Sequence, residues 1–123
     1  FDKRVKSLKP FGFFDYNKLQ KNAYCVLSDS GTLSEESAML NFSAVLIRTS
    51  TERPEALDAG SIIIGGITTE TIQQSIDMAV EMNKNNEIMG MANDYNDINV
   101  SIKVVKLIQS YTDIVNRTVW NKR

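Results

Sequence analysis

The sequence predicts an α/β fold in which helices flank a parallel β-sheet. Short apolar runs rich in β-branched residues alternate with amphipathic helical patterns, and turn residues separate the two. This alternation is typical of strand–helix units, which place consecutive strands parallel to each other. A chain of 123 residues has the length of one ordinary domain. We therefore expect residues 1–123 to form a single domain around one modest core.

The order of the elements follows from the apolar runs and the turns between them. Strands are predicted over residues 24–28, 44–48 and 61–64. Helices are predicted from a cap at Asp15 to residue 22, over residues 33–41, around residues 72–80 and over residues 100–119. A further strand is expected near residues 4–8, and residues 49–60 are predicted to form a polar loop.

Two of the predicted helices show an apolar stripe at the spacing of one helix face. The first stripe consists of Ile72, Ile76, Ala79 and Val80. The second stripe, in the last helix, consists of Val104, Ile108, Tyr111 and Val115. Such stripes usually pack against a core. We expect core packing for both.

Composition and charge exclude several classes of function. The 14 basic and 15 acidic side chains leave a formal net charge of −1, without the basic excess that binding to a nucleic-acid backbone requires. The apolar fraction of 42% is ordinary for a globular protein, and no apolar run approaches the roughly 18 residues of a membrane span. We therefore expect neither a nucleic-acid partner nor a membrane partner.

Cysteine and histidine counts limit the chemistry further. Cys25 is the single cysteine, so no internal disulfide can form, and a reducing, cytoplasmic compartment is expected. Histidine is absent, which removes the commonest metal ligand and the commonest acid–base side chain near neutral pH. We expect no metal site and no cofactor. The chain opens on Phe1 without a signal-peptide pattern, and we interpret it as a piece of a longer protein.

The turn after the first strand has the features of an anion site. Residues 29–31 join a strand to a helix, where free backbone N–H groups and the helix dipole favour a phosphate. Gly31 lets the backbone approach an anion closely, and Ser30 adds a hydroxyl donor. An alternative stays open, in which Thr32 and Glu35 form an ordinary capping box and Gly31 only turns the chain.

Three further side chains are candidates for binding a nucleotide. Glu36 points about 100° away from Glu35 on a helix and can accept two ribose hydroxyls, although a solvated acid at a helix start is the alternative. Arg53 follows a strand beside Pro54, where open α/β sheets bind ligands, but a loop salt bridge is the more common role. Tyr16 belongs to an aromatic cluster that offers a stacking face or core packing.

These motifs together resemble one known family. They are Asp29-Ser30-Gly31, Glu35-Glu36, Thr51-Glu52-Arg53-Pro54-Glu55 and Ala59-Gly60. Over about residues 10–66 the chain is similar, in register, to the non-hydrolysing UDP-N-acetylglucosamine 2-epimerases. The resemblance implies a parallel Rossmann-like sheet flanked by helices, forming the later part of the second domain of a GT-B-type fold. Residues 1–123 would then be a single partial domain.

The resemblance also implies a function. Family members eliminate UDP from a UDP-sugar, form a glycal-type intermediate, and add UDP back after inversion at C2. The residues expected to bind UDP are Tyr16 near uracil, Glu36 at the ribose, Ser30 and Gly31 at the phosphates, and Arg53 beside the diphosphate. The family's catalytic groups precede Phe1, so the chain is expected to carry no catalytic residue and to be inactive alone. The full-length enzyme is expected to be a homodimer.

Departures from the family pattern concern the sugar. Thr32 and Ser34 replace a second glycine and a glutamine, and residues 93–97 replace a glycine-rich segment. Residues 93–97 and 110–117 of this chain resemble the branch of the family that makes UDP-N-acetyl-L-fucosamine for bacterial capsules and O-antigens. Two other functions stay open: the nucleotide-sugar-binding domain of a GT-B glycosyltransferase, and a non-catalytic sugar-nucleotide sensor.

Overall fold

A three-stranded parallel sheet forms the centre of the molecule. The computed structural model describes residues 2–85 and 92–122. Its strands are β1 (Val26–Ser28), β2 (Ala44–Leu46) and β3 (Ile63–Ile64), in the order β1-β2-β3. Both pairings are parallel, and Leu46 lies between Ser28 and Ile64 in the register. The α/β class and the parallel sheet predicted from the sequence are confirmed.

Helices connect the strands and continue beyond them. In the described part of the chain they are α1 (Phe13–Lys21), α2 (Thr32–Leu40), α3 (Pro54–Asp58), α4 (Thr69–Lys84) and α5 (Val100–Thr118). A short 3-10 turn covers Asn93–Asn96. No helix in this part of the chain is both long enough and apolar enough to cross a membrane. The long predicted helices are present, with ends that differ by a few residues at most.

Three local predictions are wrong. Residues 4–8 form no strand, because this exposed segment has no neighbouring strand among the described residues to share its backbone hydrogen bonds. The cap of α1 is Gly12 rather than Asp15, which lies within the first turn of that helix. The predicted polar loop contains α3, whose first residue is Pro54, a position where the missing proline N–H costs the helix no hydrogen bond.

The core is built around the central strand. Val45 and Leu46 of β2 are 0% exposed, as expected for a strand of a parallel sheet that is covered on both faces. A cluster of buried side chains joins β2 to α2, α3 and the segment before β3. Its members are Leu33, Phe42, Ala44, Leu46, Ala56 and Ile62. The core therefore holds α2 and α3 against the sheet, and these are the helices that border the candidate site.

The two apolar stripes behave differently. On α4, Ala79 and Val80 are buried and the helix contacts β2, so core packing is confirmed there. On α5 no residue is buried, and Ile108 is 60% exposed, so core packing is wrong for that helix. The period of a stripe shows which face of a helix is apolar, but it carries no information about the element that covers the face.

Candidate functional site

The candidate site lies at the carboxyl edge of the sheet. Because the strands are parallel, the segments that follow them meet at one edge, which is where open α/β sheets bind ligands. After β1 the chain passes through Ser30 and Gly31 into α2. After β2, the neighbouring strand, it continues to Arg53 immediately before α3. These three predicted binding residues therefore lie in adjacent loops.

Helix α2 begins without a side-chain cap. Its N-cap residue is Gly31, and no described side chain accepts a hydrogen bond from the first backbone N–H groups. The hydroxyl groups of Ser30 and Thr32 pair with each other at 2.9 Å. The predicted capping box is wrong, because Thr32 is already the first helical residue and Glu35 has a different partner. The N–H groups of Leu33 and Ser34 donate to the carbonyl oxygens of Ser30 and Gly31 at 3.2 Å. Those of Gly31 and Thr32 have no acceptor among the described residues, so they can receive an anion.

The backbone at Gly31 shows why a glycine suits this position. Its φ of −60° is one that any residue adopts, so the turn itself does not require glycine. A Cβ placed on Gly31 would meet no described atom within 4 Å. Glycine therefore leaves open space at the start of α2. This favours close approach of a ligand over the alternative that Gly31 only turns the chain.

Arg53 is held against the first turn of α2 by an ion pair. Its Nε donates to Oε1 of Glu35 at 2.8 Å, and the two side chains are 37% and 28% exposed. The Glu35 carboxylate raises the pKa of Arg53 through this hydrogen bond and its charge. A salt bridge was the alternative role for Arg53, and it exists. Its partner, however, is on α2 rather than one of the acids beside Arg53 in its own loop.

A second polar contact at the site comes from a residue that is distant in the sequence. The hydroxyl of Tyr95 donates to Oε1 of Glu55 at 3.0 Å. Desolvation, the hydrogen bond to Glu55 and the charges of Glu35 and Glu55 raise the pKa of Tyr95 to about 12, and the nearby Arg53 partly offsets them. Tyr95 is therefore a neutral hydrogen-bond donor across the physiological pH range.

Glu36 points to the other side of α2. Its Oε2 accepts a hydrogen bond of 2.6 Å from Nε2 of Gln20, which is 3% exposed and lies near the end of α1. Gln20 also lines an open hollow between α1 and β1, together with Tyr16 and Leu27. The predicted residue Glu36 thus contacts Gln20, which lines the same hollow as the predicted residue Tyr16. Glu36 lies on a different side of α2 from Glu35, as helix geometry requires of neighbouring residues.

Sequence reasoning missed three members of the polar cluster: Glu35, Glu55 and Tyr95. Glu35 was considered only as part of a capping box, and Tyr95 and Glu55 are 40 positions apart in the sequence. The signal for Glu35 was its place in the first turn of a helix that follows a strand, where a side chain can reach the next loop. No local pattern links Tyr95 to Glu55. The geometry defines an α/β unit with a polar cluster at one edge of its sheet.

Comparison with known proteins identifies the family. A family model described as UDP-N-acetylglucosamine 2-epimerase matches residues 1–109. The chain belongs to this family, which confirms the resemblance seen in the sequence. It is 38% identical over 80 residues to the UDP-N-acetylglucosamine 2-epimerase of Methanococcus maripaludis, covering 65% of this chain and 22% of that protein. The Methanocaldococcus jannaschii protein of the same name is 31% identical over 84 residues, and the match covers 68% of this chain and 23% of that protein.

A solved structure shows the same fold. The UDP-N-acetylglucosamine 2-epimerase of Rickettsia bellii is similar with a TM-score of 0.90 and 44% sequence identity, and the match covers 98% of this chain and 33% of that one. The chain therefore spans about a fifth to a third of the length of these relatives. The assignment to the UDP-N-acetyl-L-fucosamine branch stays a prediction.

Proposed function

We propose that this chain is the UDP-binding part of a UDP-N-acetylhexosamine 2-epimerase. Family membership supports the reaction class. The observation that carries the binding role is the ion pair that holds Arg53 against the first turn of α2. A guanidinium beside an uncapped helix start offers charge and N–H donors to one anionic group.

Each part of UDP has a candidate partner in this proposal. The phosphates bind at Ser30 and Gly31, where the helix start is open, and Arg53 approaches the diphosphate from the next loop. Glu36 accepts the ribose hydroxyls, and Gln20 orients its carboxylate. Tyr16, on the wall of the adjacent hollow, stacks on uracil.

The chemistry proposed for the whole enzyme is elimination followed by re-addition. The anomeric C1–O bond breaks as UDP leaves and the C2 proton is removed, which produces a glycal-type intermediate. UDP then adds back to C1 while C2 is protonated on the opposite face. This chain would stabilise the negative charge that develops on the leaving diphosphate. It would supply no catalytic residue, so we propose that the acids and bases come from the rest of a two-domain enzyme.

Finer parts of the proposal concern the setting of the enzyme. We propose a GT-B-type arrangement of two domains, with residues 1–123 as part of the second. The sugar would be that of the UDP-N-acetyl-L-fucosamine branch, used for bacterial capsule or O-antigen synthesis. The enzyme would be a cytoplasmic homodimer. Residues 93–97 support the branch assignment, because they depart from the glycine-rich segment of typical members.

The test is to incubate the full-length protein with UDP-N-acetylglucosamine alone and follow C2 by NMR. An epimerase inverts C2 without any acceptor. A glycosyltransferase leaves the sugar unchanged until an acceptor is added. If the protein bound UDP but turned over neither UDP-N-acetylglucosamine nor 6-deoxy UDP-sugars, the proposal would be contradicted and a sensor would be favoured.

A further inference from the structure

Glu55 is a potential competitor for Arg53. The two residues are in the same short segment, at the start of α3, and the negative charge of Glu55 contributes to the raised pKa of Arg53. A carboxylate this near could take the guanidinium in a second ion pair. In the structure this second pair does not form, and Oε1 of Glu55 instead accepts the hydroxyl of Tyr95 at 3.0 Å.

As a result, some N–H donors of the Arg53 guanidinium remain available to a ligand. A guanidinium carries five N–H donors in a planar fork. Nε of Arg53 is used by Glu35, and Nη1 makes a long contact of 3.4 Å to the carbonyl oxygen of Glu52. Among the described residues, neither Nη group donates a hydrogen bond to a carboxylate. The outer edge of the fork is the edge that a diphosphate would use.

We propose that Tyr95 is a positioning residue, whose hydroxyl holds the Glu55 carboxylate away from Arg53 and leaves the outer edge of the guanidinium available to the diphosphate of UDP. The inference rests on the proposed function, since it takes Arg53 as a diphosphate ligand. It assigns no contact between Tyr95 and the nucleotide.

The position of Tyr95 suits this role. Its ring packs against the buried cluster that includes Leu33 and Ala56, so the hydroxyl is fixed relative to both α2 and α3. With a pKa of about 12 the phenol stays protonated near neutral pH, so it remains a donor to the carboxylate there. Tyr95 thus joins the 3-10 turn at Asn93–Asn96 to the segment that carries Arg53.

A double-mutant cycle tests the inference by calorimetry with UDP, using the full-length protein. The variants are Tyr95→Phe, Glu55→Gln and the two combined. Tyr95→Phe keeps the ring but releases Glu55 to pair with Arg53, so UDP affinity should fall about fivefold, the scale of a partly exposed ion pair. Glu55→Gln removes the competitor, so the double variant should bind UDP within about twofold of wild type. Uridine, which lacks phosphates, should bind all variants alike.

Other outcomes separate this inference from the proposed function. Unchanged UDP affinity in Tyr95→Phe, or an equal loss in the double variant, would overturn it, because a merely structural clamp gives no rescue. A loss of uridine binding as well would show a general defect and would also count against it. Arg53→Ala is the reference arm: if that change leaves UDP affinity intact, the diphosphate role of Arg53 fails together with the inference. If only Arg53→Ala weakens UDP, the inference alone fails.

Discussion

The Nε of Arg53 and Oε1 of Glu35 are 2.8 Å apart, joining the first turn of α2 to the segment before α3. This pair places a cation beside a helix start whose N–H groups have no side-chain cap. It also gives Glu35 a role different from the one its spacing suggested.

Replacing Glu35 should weaken UDP binding through Arg53. Glu35→Gln keeps the shape but removes the charge that orients the guanidinium, so we expect UDP affinity in the full-length protein to fall several-fold. The capping-box interpretation predicts no change, because glutamine also serves in such a box. Glu52→Gln is the matched control, since Glu52 makes an exposed pair with Arg48 at 3.5 Å. Equal UDP affinities for both variants would show that the Glu35 pair has no part in binding.

Glu36 should act on the nucleoside rather than on the phosphates. Glu36→Gln replaces an acceptor oxygen with a donor, so it should weaken UDP binding and spare pyrophosphate, which lacks the ribose. The hydrogen bond from Gln20 becomes less favourable in this variant, so thermal melts are needed beside the titrations to detect a folding defect. If pyrophosphate binding fell as much as UDP binding, the ribose assignment would be wrong.

Replacing Gly65 with alanine should affect stability, whereas replacing Gly31 with alanine should affect UDP binding. A Cβ on Gly65 would lie 2.6 Å from Cγ1 of the fully buried Val45, so Gly65→Ala should lower the stability by about 1–3 kcal/mol. Gly31 has open space and an α-helical φ, so Gly31→Ala should leave the melting temperature unchanged and weaken UDP binding. Thermal melts and titrations of both variants check this. Intact UDP affinity in Gly31→Ala would remove the reason for glycine at the helix start.

The hydroxyl of Tyr95 should lose its proton at a higher pH than an ordinary tyrosine does. The chain has four tyrosines, and the pKa of Tyr95 is about 12, above the ordinary value of 10.0. A pKa that is raised on folding contributes stability in full below the unfolded value and loses it as the pH rises through the folded value. The stability advantage of wild type over Tyr95→Phe should therefore disappear between about pH 10 and pH 12. Spectrophotometric titration of phenolate formation checks the pKa, and a Tyr95→Phe difference curve centred near pH 10 would contradict it.

Much of the fold could be predicted because local patterns specify it. The apolar run that contains β2 and the stripe with Ala79 and Val80 each require burial, and the turns between them allow only a short list of connections. The burial of the apolar face of α5 could not be predicted. An apolar face that contains Ile108 shows the same sequence pattern whether or not another element packs against it.

The candidate site was only partly predictable for a different reason. Ser30, Gly31 and Arg53 lie directly after strands, where topology alone brings loops together. The partners of the charged groups depend on contacts between distant segments, such as the ion pair between Glu35 and Arg53, which are 18 positions apart in the sequence. A capping box and a cross-loop ion pair both begin with the same glutamate, so spacing cannot choose between them.

The central claim is that a diphosphate binds between the start of α2 and Arg53. Calorimetric titration of the full-length protein with UDP, comparing Arg53→Ala with Arg48→Ala, tests it most directly. Arg48 is the matched control because it is an arginine of the same loop region, whose ion pair in the described part of the chain is with the exposed Glu52. The account predicts that Arg53→Ala weakens UDP by about tenfold or more while uridine affinity and Arg48→Ala stay near wild type. Equal UDP affinity in Arg53→Ala and wild type would contradict it.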